Sequence, residues 1–492
     1  MKFSAIKNKS WIQIIVIAVL IAIIFLKSLN FDFNWLDNAQ IEKESCVINS
    51  QQSLKDVFLK PLLNPKGQGN YYRPLFKVSY TLDYVLYGKR ALGFHITNIL
   101  LHIVNLILLY FIFLALKIKK SISFLVVLFY GVLPLNVSTV VSLTARADLL
   151  VALFIFSSFL FYLQFQNRGV LPYLILSLAG YLLALMSKEM AFPFFILIFL
   201  ISYIKNSFKS YSFLYLFLAL GYLFIRFKIL GYLGSSIVLL RAEPTLTVLS
   251  SFAGFYTYIF KFFIPTELSL SDVFLRYNYL LNDKVVLGIA ITFLLCLALL
   301  SAIKRRDGSL SILLSWVLIF YIPISNIIPS PHFWAERFFY LPGAGLAGLI
   351  AYVILKKRWL KNLLIISILF YSLVNINYQN YFKDNEVIFK RALDISANSE
   401  EAYNMLGYHY ILNGDYYRAI YYYHMATQDF SRYYTFSSLS ETYNNLGVLF
   451  LRLKQYSEAR KWFEYALILK ESNKDVILNL KILNSLDLSY GK

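Results

Sequence analysis

The chain has 492 residues, of which 59% are hydrophobic, 18% aromatic and only 15% charged. No soluble domain needs that much apolar surface, so the composition excludes an ordinary water-soluble protein. The formal charge of +20 lies mainly in short Lys/Arg clusters between apolar runs, a pattern of cytoplasmic loops under the positive-inside rule and not of a nucleic-acid surface.

In chain order, the first apolar run, Trp11 to Leu26, follows Lys2, Lys7 and Lys9, and no small-residue cleavage site comes after it. It reads as an uncleaved transmembrane helix. Residues 28–93 then form a polar, aromatic loop, too long for a tight turn and expected to carry structure of its own. Of the two cysteines, Cys46 lies in this loop and Cys296 in an apolar run, so neither a disulfide framework nor a thiolate metal site is supported. Further apolar runs follow at 94–116, 122–143, 147–165, 170–186, 191–204, 211–230, 248–265, 285–303, 311–328, 339–355 and 361–376. Most reach the roughly 17 to 25 residues that a spanning helix needs. The fold class is therefore all-α: a polytopic bundle of about 11–13 helices over residues 1–376.

Four basic clusters set an orientation: Lys117, Lys119 and Lys120; Lys205 and Lys209; Lys304, Arg305 and Arg306; Lys356, Lys357, Arg358 and Lys361. With these inside, the N-terminus is cytoplasmic, and the first loop and the C-terminal region are extracytoplasmic. Between Lys209 and Lys304 three spans are predicted where the clusters require an even number. One segment there must be misread, split or re-entrant.

Residues 377–492 change character. Tyr403, Leu406, Gly407 and Tyr410, followed by Ala419, Tyr423 and Ala426, recur as Tyr443, Leu446, Gly447 and Phe450, followed by Ala459, Phe463 and Ala466. This is tetratricopeptide spacing with Tyr in place of the usual Trp, and it predicts repeats over about 400–433 and 440–473 in a short α-solenoid. The two units are offset by 40 residues where about 34 is usual, so an inserted bend is expected over 427–441. Phe389 and Ala392 fit the second helix of a partial unit, and Ile477 and Leu480 fit a capping helix.

Ionisable residues at the ends of apolar helices are costly and mark candidate sites. Asp37 follows the first helix and suits a general base or a group that orients a lipid-phosphate donor, or a plain loop carboxylate. Arg73, in Tyr71-Tyr72-Arg73-Pro74, suits a phosphate ligand or an interfacial anchor. His95, Asn98, His102 and Asn105 share one helix face, the usual pattern of helix-to-helix hydrogen bonding. His95 and His102 lack a carboxylate on the same turn, and no metal site is assigned to them. Arg146 with Asp148, Lys188 with Glu189, and Glu336 with Arg337 read either as self-neutralising pairs or as parts of one extracytoplasmic cavity, since four separated segments deliver charge to one membrane face.

These residues together carry a resemblance. The Trp35–Ile41 stretch, Tyr72-Arg73-Pro74, Gly93-Phe94-His95-Ile96-Thr97-Asn98 with Leu101-His102, Arg146-Ala147-Asp148-Leu149-Leu150, Ser187-Lys188-Glu189-Met190, and Ser325-Asn326-Ile327-Ile328-Pro329 with Ala335-Glu336-Arg337 resemble bacterial relatives of the tetratricopeptide-containing transmembrane O-mannosyltransferases. The resemblance implies a GT-C-like membrane domain. It also implies transfer of a sugar, mannose or another hexose, from a polyprenyl-phosphate donor to Ser/Thr hydroxyls outside the membrane. On it, Asp37 is the candidate catalytic base. Arg73, His95, His102, Arg146, Asp148, Lys188, Glu189, Glu336 and Arg337 are candidates for binding substrate or lipid phosphate. The implied partners are membrane lipids, the polyprenyl-phosphate sugar and an acceptor protein held by the repeats. No nucleic acid is expected, and a divalent cation has no support in the residues. The expected location is a bacterial cytoplasmic membrane. Two departures stand out: Leu36-Asp37 replaces the family's paired acids, and Leu133-Pro134-Leu135-Asn136-Val137-Ser138 replaces its H-P-x-H-x-E segment. The rival readings are a catalytically degenerate scaffold that recruits partners through its repeats, and a transferase acting on a glycolipid or cell-wall polymer.

Overall fold

The computed structural model describes residues 10–34, 37, 54–63, 69–204, 211–231, 244–270, 274–275, 280–327, 334–357, 359–428, 433–434, 439–471 and 473–490. Trp35, Leu36, 38–41, Cys46, Lys205, Lys209, 328–333 and Arg358 lie outside them. The chain divides into two compact units, Met1–Leu268 with Tyr277–Lys383, and Ser269–Arg276 with Asp384–Lys492.

The first unit is a bundle of apolar helices. α1 (Ser10–Phe25) leads through a 3-10 turn into the first loop, which contains α2 (Leu54–Leu59), a β1–β2 pair (Leu62–Leu63 with Gly69–Tyr71) and α3 (Pro74–Tyr87). The bundle continues with α4 (Ala91–Ala115), α5 (Lys120–Val132), α6 (Val137–Val141), α7 (Arg146–Arg168), α8 (Leu171–Ser187), α9 (Phe194–Ile204) and α10 (Ser212–Leu230). It is completed by α11 (Pro244–Phe263), α12 (Asp283–Lys304), α13 (Gly308–Tyr321), α14 (Tyr340–Lys356) and α15 (Leu360–Gln379). Seven of these helices, with their adjoining turns, are long and apolar enough to cross a membrane, and α5 with α6, bent by 55° at Leu133-Pro134, makes eight if counted as one span. α8, α9 and α13 are shorter apolar helices. The chain is a multi-pass membrane protein.

The high aromatic content has a structural use. Inside the bundle, Tyr side chains fill space between helices while their hydroxyls find acceptors, as buried polar groups must in hydrocarbon. Tyr162 meets Ser202 at 2.8 Å, Tyr215 meets Ser177 at 2.6 Å, and Tyr181 donates to Phe192 O at 2.8 Å.

α11 covers most of the apolar run expected at 248–265. It carries Thr247, Ser250, Ser251 and Lys261, all buried. It packs largely near the ends of spans. Tyr321, at the end of α13, donates to Ser251 O; Tyr258 donates to Ala335 O and stacks on Trp334 and Phe339 just before α14. In the second turn of α12 a Cβ on Gly288 would lie 1.9 Å from Phe252 O, so this contact requires glycine.

The second unit is a helical repeat stack: α16 (Asn385–Ile395), α17 (Glu400–Leu412), α18 (Tyr416–Ala426), α19 (Leu439–Arg452), α20 (Tyr456–Leu469) and α21 (Lys474–Tyr490). Asp384, Ser399 and Asp415 cap the first three by accepting backbone N–H groups. A Cβ on Gly407 would lie 2.8 Å from the Tyr423 ring and one on Gly447 2.5 Å from Phe463, so the small residues do let each helix pair close on its aromatic. The segment between the repeats contains β4 (Tyr433–Tyr434), antiparallel to β3 (Phe274–Leu275) from the α11–α12 connection. In α21 the buried residues are Val476 and Leu483, with Leu480 packed beside them. Ile477 turns outward, contrary to expectation.

Candidate active site at the loop end of the bundle

A five-residue stretch organises the polar residues. The 3-10 turn Leu143–Ala145 leads directly into α7, so consecutive groups face different neighbours about 100° apart. Thr144 N donates to Asp37 Oδ1 at 3.1 Å. Arg146 reaches Asp83 at 2.6 Å, Asn98 Oδ1 at 2.8 Å, Phe94 O at 3.0 Å and Ser79 O at 3.3 Å. Asp148 accepts from Lys188 Nζ at 2.5 Å. The pairs adjacent in sequence are therefore not self-neutralising: Arg146 answers Asp83, Asp148 answers Lys188, and Glu189 answers Arg73.

The Arg73–Glu189 contact is a fork, with Nε to Oε2 at 3.1 Å and Nη2 to Oε1 at 2.5 Å, and the guanidinium lies 4.2 Å over the Tyr71 ring. Burial alone would lower the Arg73 pKa, but Glu189 outweighs it and holds the group above its ordinary value. Lys188 lies 4.6 Å over the Phe338 ring, which brings the Glu336–Phe339 turn to the same place. Burial pulls the Lys188 pKa down to about 8 against the opposing pull of Asp148. The Tyr71 phenol feels the charges of Arg73, Glu189, Arg337 and Arg226. One cluster thus collects four cations, Arg73, Lys188, Arg226 and Arg337, and two carboxylates, Asp148 and Glu189.

Asp37 is buried, with Asn34 N at 3.3 Å from Oδ2. Burial raises its pKa to about 7, although the Asn34 and Thr144 N–H groups and Arg146 pull it down. Each of its oxygens accepts one backbone N–H, which leaves a further lone pair on each. Only one turn of chain separates its partner Thr144 from Asp148 of the cation cluster.

Other candidates are engaged elsewhere. His102 bonds the Tyr340 hydroxyl at 2.8 Å and Gly131 O at 3.1 Å, Asn98 donates to Val140 O at 3.2 Å, and Asn105 donates to Leu149 O at 3.0 Å. That face works between helices. His95 is buried edge-on to Phe31 at 6.4 Å. Glu336 accepts from the Tyr378 hydroxyl at 2.9 Å and stands 3.6 Å from Lys261. In the segment 133–138, Asn136 donates to Tyr130 O at 2.8 Å, and the Ser138 hydroxyl is buried without a hydrogen bond. Among the described residues no three His, Cys, Asp or Glu side chains form a metal-binding group. A cavity of about 130 Å³ opens beside Arg73, lined also by Asp56, Lys60, Leu62 and Lys77.

Sequence reading missed Arg226, Tyr71, Lys261 and Asp83. Arg226 was legible in principle, as a cation among Phe224, Ile225 and Phe227 within a span.

Residues 398–472 match the tetratricopeptide repeat family model. Over 373 residues the chain is 24% identical to a protein O-mannosyl-transferase of Caenorhabditis elegans, covering 70% of this chain and 51% of that protein. It is 24% identical over 488 residues to protein O-mannosyl-transferase TMTC4 of Homo sapiens, covering 84% of this chain and 66% of the relative. A stretch of 99 residues, 20% of this chain and 10% of the relative, is 31% identical to protein O-mannosyl-transferase TMTC1 of Mus musculus. The chain thus spans between half and two thirds of the length of the first two relatives. No solved structure matches it. In its repeats, its membrane bundle and these similarities, the chain is similar to the tetratricopeptide-containing transmembrane O-mannosyltransferases.

Proposed function

We propose that the chain is a GT-C-type glycosyltransferase that moves a hexose, mannose in the first instance, from a polyprenyl-phosphate donor to Ser/Thr hydroxyls of extracytoplasmic proteins. The observation that carries this reading is the cluster of Arg73, Lys188 and Arg337 with Asp148 and Glu189 at one end of an apolar bundle, one turn of chain from a carboxylate with a pKa of about 7. In the step, the acceptor oxygen attacks the anomeric carbon, its proton passes to Asp37, and the bond from that carbon to the phosphate oxygen breaks with its electron pair staying on the phosphate. Arg73 and Arg337 stabilise the charge that grows there. Glu189 orients Arg73, and Asp148 keeps Lys188 charged near neutrality. Arg146 and His102 act as structural residues that hold the loops. The repeats bind the acceptor protein, and the basic clusters face the cytoplasm of a bacterial membrane.

The test is Asp37→Asn, which keeps the acceptor oxygen for Thr144 N and removes the base. In membranes supplied with labelled polyprenyl-phosphate hexose and acceptor protein, the variant should lose roughly 100-fold or more of the transfer rate. An unchanged rate removes Asp37 from the mechanism. A wild-type chain that never consumes the donor favours the scaffold reading.

A further inference from the structure

Arg226 has no evident structural role. It sits in α10, a candidate span whose neighbouring Phe224, Ile225 and Phe227 are exposed on the outside of the bundle. Its Nε is buried and bonds nothing, and among the described residues the side chain makes no hydrogen bond or ion pair. One turn earlier on the same face, Tyr222 packs on Tyr72 and reaches Tyr72 O at 3.4 Å. This contact seats that face of α10 against the Tyr71–Arg73 segment, where the field of Arg226 acts on Tyr71 and Glu189. A cation in a span is expensive and marks a polar site, and Glu189, the carboxylate within its field, is already held by the Arg73 fork.

We propose that Arg226 and the Tyr71 hydroxyl complete the cradle for the carrier phosphate, entering from the lipid-facing side of the bundle. This inference rests on the polyprenyl-phosphate reading above. The cradle then adds Arg226 to Arg73, which Glu189 forks, and to Lys188, which Asp148 pairs. The donor is a phosphodiester with one negative charge. Once the bond to the sugar breaks, the carrier is a phosphomonoester that gains a second charge as Asp37 takes the acceptor proton. An added cation there complements the doubly charged departing carrier better than the singly charged donor, so catalysis gains from Arg226 as the bond breaks and the released carrier phosphate inhibits.

The full chain in detergent is titrated with undecaprenyl phosphate and, separately, with uncharged undecaprenol. Wild type should bind the phosphate far more tightly than the alcohol. Arg226→Gln should weaken phosphate binding roughly 10- to 100-fold and leave alcohol binding unchanged; Arg226→Lys should recover part of the loss, and Tyr71→Phe should weaken phosphate binding severalfold. Unchanged phosphate binding in Arg226→Gln, or an equal loss for phosphate and alcohol, overturns the inference while leaving the donor reading intact. A wild-type chain that does not distinguish phosphate from alcohol overturns both.

Discussion

Arg146 and Asp148 stand two residues apart at the start of one helix, yet they serve different ends. Arg146 is fully buried and shared among Asp83, Asn98 and two carbonyls. Stranding one member of such a pair costs about 3–5 kcal/mol, so this guanidinium holds α3, α4 and α7 together and is not available to a substrate. Asp148 instead reaches Lys188 in the cluster. The sequence displayed these charges and not their partners, because neighbours one apart on a helix do not face each other and Asp83, in an amphipathic helix, carried no signal of burial. Asp37 was legible by position alone; its environment came from burial and two backbone donors. Since burial raises its pKa to about 7 and the base must be ionised, transfer should fall as pH drops through 7 and level off above it. A rate profile from about pH 5.5 to 8.5 reads this limb, and a flat profile across that window rules out Asp37 as the titrating base.

At the scale of elements, the apolar runs announced most of the bundle, and the recurring Tyr, Gly and Ala positions announced the repeat helices. Period and composition suffice when a helix is apolar all round or has a fixed motif. They announced α11 as well, but not that its buried Thr, Ser and Lys side chains serve contacts with α12, α13 and the turn before α14. The positive-inside rule asks for an even number of crossings between Lys209 and Lys304; with α10 and α12 as those two, cysteines introduced at Thr245 and Phe263 should both react with a membrane-impermeant maleimide from the side that labels Lys60→Cys. Labelling of the two positions from opposite sides makes α11 a span and reopens the count. The break between α5 and α6 was visible as Leu133-Pro134, but not its angle of 55°, which depends on Asn136 turning back to Tyr130 O.

For the molecule as a whole, the described residues include seven helices long and apolar enough to cross a membrane, eight with the bent α5–α6 pair, and three shorter apolar helices. The division into membrane bundle and repeat stack could be read from hydropathy. The exchange of Ser269–Arg276 into the repeat unit could not, because strand pairing between segments so far apart leaves no local mark. Transfer of a hexose from a carrier lipid to protein hydroxyls can be read by mass spectrometry of extracytoplasmic proteins from cells making the wild-type chain, no chain, or Asp37→Asn. Hexose on defined Ser or Thr residues is expected with the wild-type chain, and its loss in the other two. Identical modification in all three contradicts it.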